Sequence, residues 1–325
     1  MLDDRFRGQL SAKTIKEFWP MAAAGPPPSV RMLPAEPGVY RFRTAAGRAL
    51  YIGRAIDLRR RVGSYWRDLR DRPHLSRMVA QVGRIEAVAC DSGHEAAWLE
   101  RNLLEREMPY WNRTPGGAEV PVYIRLDQRV GLRAVRSPDT VAGSRLFGPY
   151  LGGLKVRLAL SALERLIPIA YAASKLSGSE RDLARVRGVE QSDRAALMDA
   201  AMAVLERDPA AVAAVRTELV RRRDCASADL GFELAGQLQA ELEAIEWIVS
   251  EQKATRTDTR DLVVHGWADG LLVRFEMRAG RLSTWTQRRC SEPTARDRVA
   301  ATAPEWQSFA TRNAALAARL HHVQR

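Results

Sequence analysis

Two tripeptides, Gly38-Val39-Tyr40 and Tyr51-Ile52-Gly53, with ten residues between the tyrosines, constrain this chain more than any other feature. Each lies in a β-like run, GVYRFRT and ALYIGRA, and the AAGR between them is a short turn in which Gly47 can take positive φ. The pair reads as a β-hairpin. Strand alternation then lets Tyr40 and Tyr51 share a face. The segment IDLRRRVGSYWRDLRD follows, with Leu58, Val62, Tyr65, Trp66 and Leu69 at helical spacing. Next, VGRIEAVAC is a strand, and GHEAAWLERNLLEREM a second helix that turns Ala97, Leu99, Leu103 and Leu104 toward a core. The order β-β-α-β-α predicts a small α+β domain over 33–115.

Pro and Gly in AAAGPPPS make residues 1–32 a tail or linker. Short strands (VPVYIRL, GLRAVRS, SRLFGPY) and then helical patterns make 116–205 a connecting α/β region. Residues 206–253 predict an antiparallel helical hairpin joined near Cys225–Gly231. The last unit, 254–325, alternates like a β-meander with turns at ADG and RAG, then ends in an amphipathic helix.

The formal charge of +12 and pI near 10.2 point to an acidic polymer as partner. Nearly all the cations are arginines; the lysines are Lys13, Lys16, Lys155, Lys175 and Lys253, so codon usage contributes to this bias. No apolar run of about 18 residues exists, so no membrane span is expected. MLDDRFRGQL lacks the apolar core of a signal peptide. Cys90, Cys225 and Cys290 are far apart, against a disulfide framework or zinc site, and a reducing cytoplasm fits them. The histidines show no metal-ligand spacing, and neither a P-loop nor GxGxxG occurs.

Arg61 lies ten residues after Tyr51 on the first helix, Tyr65 one turn further, and Glu100 on the second helix. Together they supply phenols, a guanidinium and a carboxylate. Pro37–Phe42, Leu50–Ala55 with Leu58, and Arg61–Tyr65 stand in order with Leu99–Leu104, Pro109–Asn112 and Phe147–Tyr150. The whole set resembles the GIY-YIG nuclease superfamily and, within it, the UvrC family. The resemblance implies hydrolysis of a phosphodiester bond in damaged double-stranded DNA, during excision repair, on the 3′ side of the lesion. It implies Glu100 as ligand of a divalent ion, Mg²⁺ or Mn²⁺, which stabilises charge on the phosphate and the leaving oxygen. Arg61 would bind phosphate oxygens. Tyr51 would act as general base, although a phenol with a reference pKa near 10 needs activation by neighbouring cations. Tyr40, Tyr65 and Asn112 match positions that complete the site. Where the family usually has Lys, this chain has Arg54. Its charge suits a phosphate contact but excludes a proton relay.

The cysteine-rich segment that UvrC proteins carry next is replaced by Leu166-Ile167-Pro168-Ile169-Ala170-Tyr171, with no cysteine from 91 to 224. An iron–sulfur cluster is therefore not expected. The hairpin resembles the UVR motif through Leu230, Phe232, Glu233, Ala235, Leu238 and Ile245, which implies a UvrB-type partner met by Phe232. It departs from that motif at Arg223, where Met is usual, at Gly236 for Ala, and at Gln239-Ala240 for Arg-Asp. The likeness covers roughly 33–285 and leaves no room for the RNase-H-like second half of UvrC, so a Cho-like stand-alone relative is expected. The rival reading is a non-catalytic DNA- or UvrB-binding adaptor, which would not need Tyr51, Arg61 and Glu100 together. Phosphate contacts release counterions, so duplex binding should weaken steeply with salt and depend little on sequence. A filter-binding titration at low and high salt checks this; flat affinity would contradict it.

Overall fold

The computed structural model describes residues 25–67, 75–112, 120–139, 141–257 and 259–324; residues 1–24 of the expected tail and Leu69 lie outside them. The fold is α+β. Strands β1 (Gly38–Arg43) and β2 (Ala49–Ala55) form the expected hairpin. Helix α1 (Leu58–Gly63) starts where Asp57 accepts a hydrogen bond from the Arg60 N–H at 2.8 Å. It is shorter than the periodicity suggests. From Ser64 to Trp66 the chain tightens into a 3₁₀ turn, with Ser64 Oγ donating to the Arg61 carbonyl at 2.7 Å. A short α2 (Ser76–Val79) leads to β3 (Arg84–Ala89) and then α3 (Gly93–Arg106). Ser92 caps α3 by accepting from the Glu95 N–H at 3.0 Å.

Strands β4 (Val122–Asp127), β5 (Gly131–Val135) and β6 (Ser144–Tyr150) form a second sheet, followed by α4 (Gly153–Leu166), α5 (Gly178–Arg187) and α6 (Arg194–Leu205). The helical hairpin is α7 (Pro209–Ala228) and α8 (Phe232–Val249). Helix α7 runs past Cys225, and the turn narrows to Asp229–Gly231. There Leu230 takes a left-handed φ of 59° and the Gly231 N–H reaches back to Ala226 O at 2.8 Å. The meander is β7 (Leu262–Ala268), β8 (Leu271–Arg278) and β9 (Arg281–Arg289), then α9 (Glu292–Ala300) and α10 (Pro304–Val323).

The first sheet runs β2-β1-β3, all antiparallel. One face carries Tyr40 and Phe42 against Leu58, Val62 and Tyr65. The other carries Val39, Ile52 and Val88, which share a core with Trp98 and Leu99 of α3 and with Phe275, Trp285, Trp306 and Phe309 from the C-terminal elements. The first sheet with α3 and the C-terminal strands with α10 thus bury their apolar faces against each other. A buried ion pair reinforces the seam. Arg41 of β1 donates to Glu86 of β3 at 2.6 and 2.9 Å and to the Trp285 carbonyl at 3.2 Å, with its guanidinium 4.0 Å from the centre of the Trp285 ring. Gly266 of β7 lies so close to α10 that an added Cβ would stand 2.1 Å from Ala310 O.

Both edges of this sheet are satisfied by side-chain carboxamides. Along β3, Asn313 of α10 accepts from the Ala89 N–H at 2.7 Å and donates to Ala89 O at 3.0 Å. Gln324 does the same to Ile85, at 3.1 and 2.9 Å. The opposite edge, β2, is met by Asn112, as described below.

The second sheet, ordered β5-β4-β6, packs on α4 together with the hairpin: Ile124, Leu126, Val156, Leu163, Leu219, Leu238, Leu242 and Ile245 belong to one core. Ile167 and Ile169, from the segment that replaces the family's cysteines, are buried in it too. Glu241 of α8 is buried and accepts a two-pronged bond from Arg165 of α4, both at 2.9 Å, and one from Ser161 at 2.6 Å. Arg223 and Gln239, two departures from the UVR pattern, bond to each other across the hairpin at 2.7 Å. Among the described residues no helix is long and apolar enough to cross a membrane.

Candidate active site

The two glycines of the tripeptides are required by close packing. A Cβ on Gly38 would stand 2.3 Å from Val88 O and 2.6 Å from Leu58 Cδ1. A Cβ on Gly53 would stand 2.5 Å from the Tyr40 hydroxyl and 2.7 Å from Tyr51 Cε1. The register explains the second contact: Tyr40 pairs with Gly53, and its ring lies across the bare glycine. Tyr51, two residues back on the same strand face, stands beside it with ring centres 6.2 Å apart.

Tyr65, carried in by the 3₁₀ turn, completes the cluster. Its hydroxyl is 2.7 Å from that of Tyr40, and its ring centre is 6.1 Å from that of Tyr51. Arg61 spans the rim, with its guanidinium carbon 5.5 Å from the centre of the Tyr65 ring. Phe42 and Trp66 wall the cluster from behind, edge to face at 5.8 Å. Sequence reasoning places Trp66 at helical spacing and Phe42 in the first motif block but gives neither a part in the site, although alternation from Tyr40 puts Phe42 on the same face.

Burial pushes the Tyr40 phenol well up, with the Tyr65 and Tyr51 phenols adding to it. Tyr51 is raised too, first by burial, then by Tyr65 and the Glu100 charge, while Arg61 opposes the rise. Both are therefore neutral phenols at neutral pH in the protein alone.

The outer edge of β2 gathers the remaining residues. Asn112 accepts from the Ile52 N–H at 3.0 Å and donates to Ile52 O at 2.8 Å, and the Trp111 N–H reaches Leu50 O at 3.3 Å. The Asn112 carboxamide thus holds the strand that carries Tyr51. One position further out, Glu100 of α3 accepts from the Arg54 N–H at 3.1 Å and pairs with Arg54 Nε at 3.3 Å. Glu100 is partly open to solvent, with 22 % of its side chain exposed.

Among the described residues no group of three or more His, Cys, Asp and Glu stands close enough to form a protein metal cage. A single accessible carboxylate fits a hard, largely hydrated ion such as Mg²⁺, which keeps several waters and one or two carboxylates. Phe232 lies outside this cluster, at the start of α8, and is 66 % exposed.

The family description "UvrC-like GIY-YIG domain" matches residues 36–113, the segment that holds every residue of this cluster. Residues 36–113 are a UvrC-like GIY-YIG domain. Beyond the domain, the chain is similar to UvrABC system protein C of Synechococcus elongatus, 30 % identical over 282 residues that cover 78 % of this chain and 42 % of that protein. It is also similar to UvrABC system protein C of Desulforudis audaxviator, 28 % identical over 276 residues covering 79 % and 44 %. The chain therefore spans about two fifths of the length of these relatives. A crystal structure of the GIY-YIG N-terminal endonuclease domain of UvrC from Thermotoga maritima, described as bound to its catalytic divalent cation magnesium, is 31 % identical. It covers 26 % of this chain and 91 % of that one, with a TM-score of 0.24.

Proposed function

We propose that this chain is a metal-dependent DNA endonuclease that hydrolyses one phosphodiester bond in damaged duplex DNA during nucleotide excision repair, on the 3′ side of the lesion. The observation that carries this reading is the convergence of Tyr40, Tyr51, Tyr65 and Arg61 beside Glu100 on one edge of a GIY-YIG sheet. Phosphodiester hydrolysis needs charge stabilisation at the phosphate, a deprotonated water and a neutralised leaving oxygen. Arg61 offers the phosphate a permanently charged, multi-donor fork at the rim of the phenol cluster. A divalent ion held by Glu100 would supply Lewis-acid stabilisation of the developing charge.

The Tyr51 phenol feels both the Glu100 and the Arg61 charge. Glu100 is one of the influences that hold its proton on, and Arg61 is the one that loosens it. Compensating the Glu100 charge would remove one of the influences that hold the Tyr51 proton on, while burial, the largest, remains. Tyr40 and Tyr65, bonded hydroxyl to hydroxyl, fix the position of the cluster. Arg54, tethered to Glu100, can take a neighbouring phosphate but cannot relay a proton. Asn112 acts as a positioning residue through Ile52.

Glu100→Ala should abolish cleavage of a lesion-bearing duplex in Mg²⁺ or Mn²⁺ while duplex affinity and the melting temperature stay close to wild type. Equal cleavage by the two proteins across a metal titration would remove Glu100 from the site.

The hairpin is proposed to dock a UvrB-type partner. Leu238 and Leu242 are used up in the core, whereas Leu230, Phe232 and Leu234 are 74 %, 66 % and 46 % exposed at the turn. Such a patch on an otherwise packed hairpin suits an interface anchor. Phe232→Ala should weaken partner binding by about 2 kcal/mol or more, a hot-spot magnitude, with little change in thermal stability. A pull-down beside a melting curve checks both, and unaltered partner binding would end this assignment.

A further inference from the structure

Gly148, Pro149 and Tyr150 have no role in the tyrosine cluster, yet they line a cavity of about 200 Å³. His94 of α3, Arg207, Arg256 and Thr257 also line it. The state of His94 is fixed by its surroundings. It is 2 % exposed, stacked on the Tyr150 ring at 5.6 Å, and tilted against Trp247 at 4.4 Å. The Trp98 Nε1–H is shared between His94 Nε2 at 3.1 Å and the Pro149 carbonyl at 3.2 Å; facing a donor, Nε2 is the acceptor and the ring proton sits on Nδ1. Burial first, and the charge of Arg207 second, lower the His94 pKa to about 3, so the ring is neutral at physiological pH.

Nδ1–H is thus a buried donor, and it has no hydrogen-bond partner among the described residues. Buried donors are rarely left so, because desolvation without a bond is costly. Arg207 stands close enough to act electrostatically on both His94 and Tyr150. A neutral imidazole donor within electrostatic reach of the Arg207 guanidinium calls for an acceptor that carries negative charge.

We infer that this cavity binds a phosphate-type oxyanion through His94 Nδ1–H and Arg207, separately from the tyrosine cluster. The shared chemistry is a phosphoryl group, and two sources can supply it: a backbone phosphate of bound DNA, or a free phosphate or nucleotide.

Arg207 also provides a clean variant. Its φ is 68°, a conformation in which glycine carries no Cβ penalty, so Arg207→Gly removes the guanidinium without straining the backbone. The chain has five histidines, so full-length protein labelled with ¹⁵N-histidine gives few imidazole signals, and His94→Phe assigns the one of interest. The first arm titrates inorganic phosphate at constant ionic strength. The His94 signal should show the Nδ1–H tautomer and shift saturably, with binding about tenfold weaker or worse in Arg207→Gly. The second arm measures duplex affinity against salt. A slope lower by roughly one in Arg207→Gly assigns the site to a DNA phosphate, and an unchanged slope with phosphate binding intact in wild type assigns it to a free phosphate or nucleotide. A His94 signal that phosphate does not move, together with an unchanged slope, would overturn the inference and leave the cavity to water. Should His94→Phe not fold, the Arg207→Gly comparison still decides.

Discussion

The contact between the Tyr40 phenol and the bare backbone of Gly53 is the constraint from which the candidate site grows. A methyl group at Gly53 would stand 2.5 Å from the Tyr40 hydroxyl, so the ring can lie across β2 only because that residue has no side chain. Lying there, Tyr40 reaches the Tyr65 hydroxyl at 2.7 Å and packs beside Tyr51. Tyr40 and Tyr65 are buried and Tyr51 is partly buried against them, and burial holds Tyr40 and Tyr51 neutral. A neutral, close-packed cluster costs no charge desolvation and keeps fixed dipoles and Arg61 at its rim. Preorganised groups of this kind need no rearrangement when charge develops on a bound phosphate.

The sheet beneath that cluster is small and depends on other segments for its edges. Asn112 closes β2, and Asn313 and Gln324 close β3, each through a carboxamide that both accepts from and donates to the strand backbone. The Arg41–Glu86 pair ties the middle of the same sheet to Trp285. A three-stranded sheet buries little area by itself, and here its second face is completed by β8, β9 and α10. The C-terminal elements therefore belong to the physical support of the site, although they are far from it in sequence.

Short-range features were legible from the residues alone. Period-two alternation around Gly47 marks the hairpin, and the turns at Gly270 and Gly280 mark the meander, because each depends on a few neighbouring residues. The helix after β2 was read too long, since Leu58, Val62 and Tyr65 keep helical spacing even where the chain tightens into a 3₁₀ turn. The edge carboxamides were invisible because nothing local to Asn313 or Gln324 announces a strand far away in the chain. Asn112 was legible as part of a motif, but its bond to Ile52 was not. The pairing of Arg223 with Gln239 turns two departures from a pattern into one interaction, which only three-dimensional proximity can show. The same limit hid the environment of His94, whose neighbours Trp98, Tyr150 and Trp247 come from three elements.

Close packing at Gly53 places the groups of the candidate site, and single-turnover cleavage of a lesion-bearing duplex by Gly53→Ala tests that role most directly. The added methyl displaces the Tyr40 and Tyr51 rings, and a misplacement of about 1 Å at a reacting centre costs on the order of 10²-fold in rate. The expected result is a fall of about that size in a protein whose circular dichroism and duplex affinity match wild type. A cleavage rate within about twofold of wild type, in a variant that is folded, would contradict the claim that this contact sets the site.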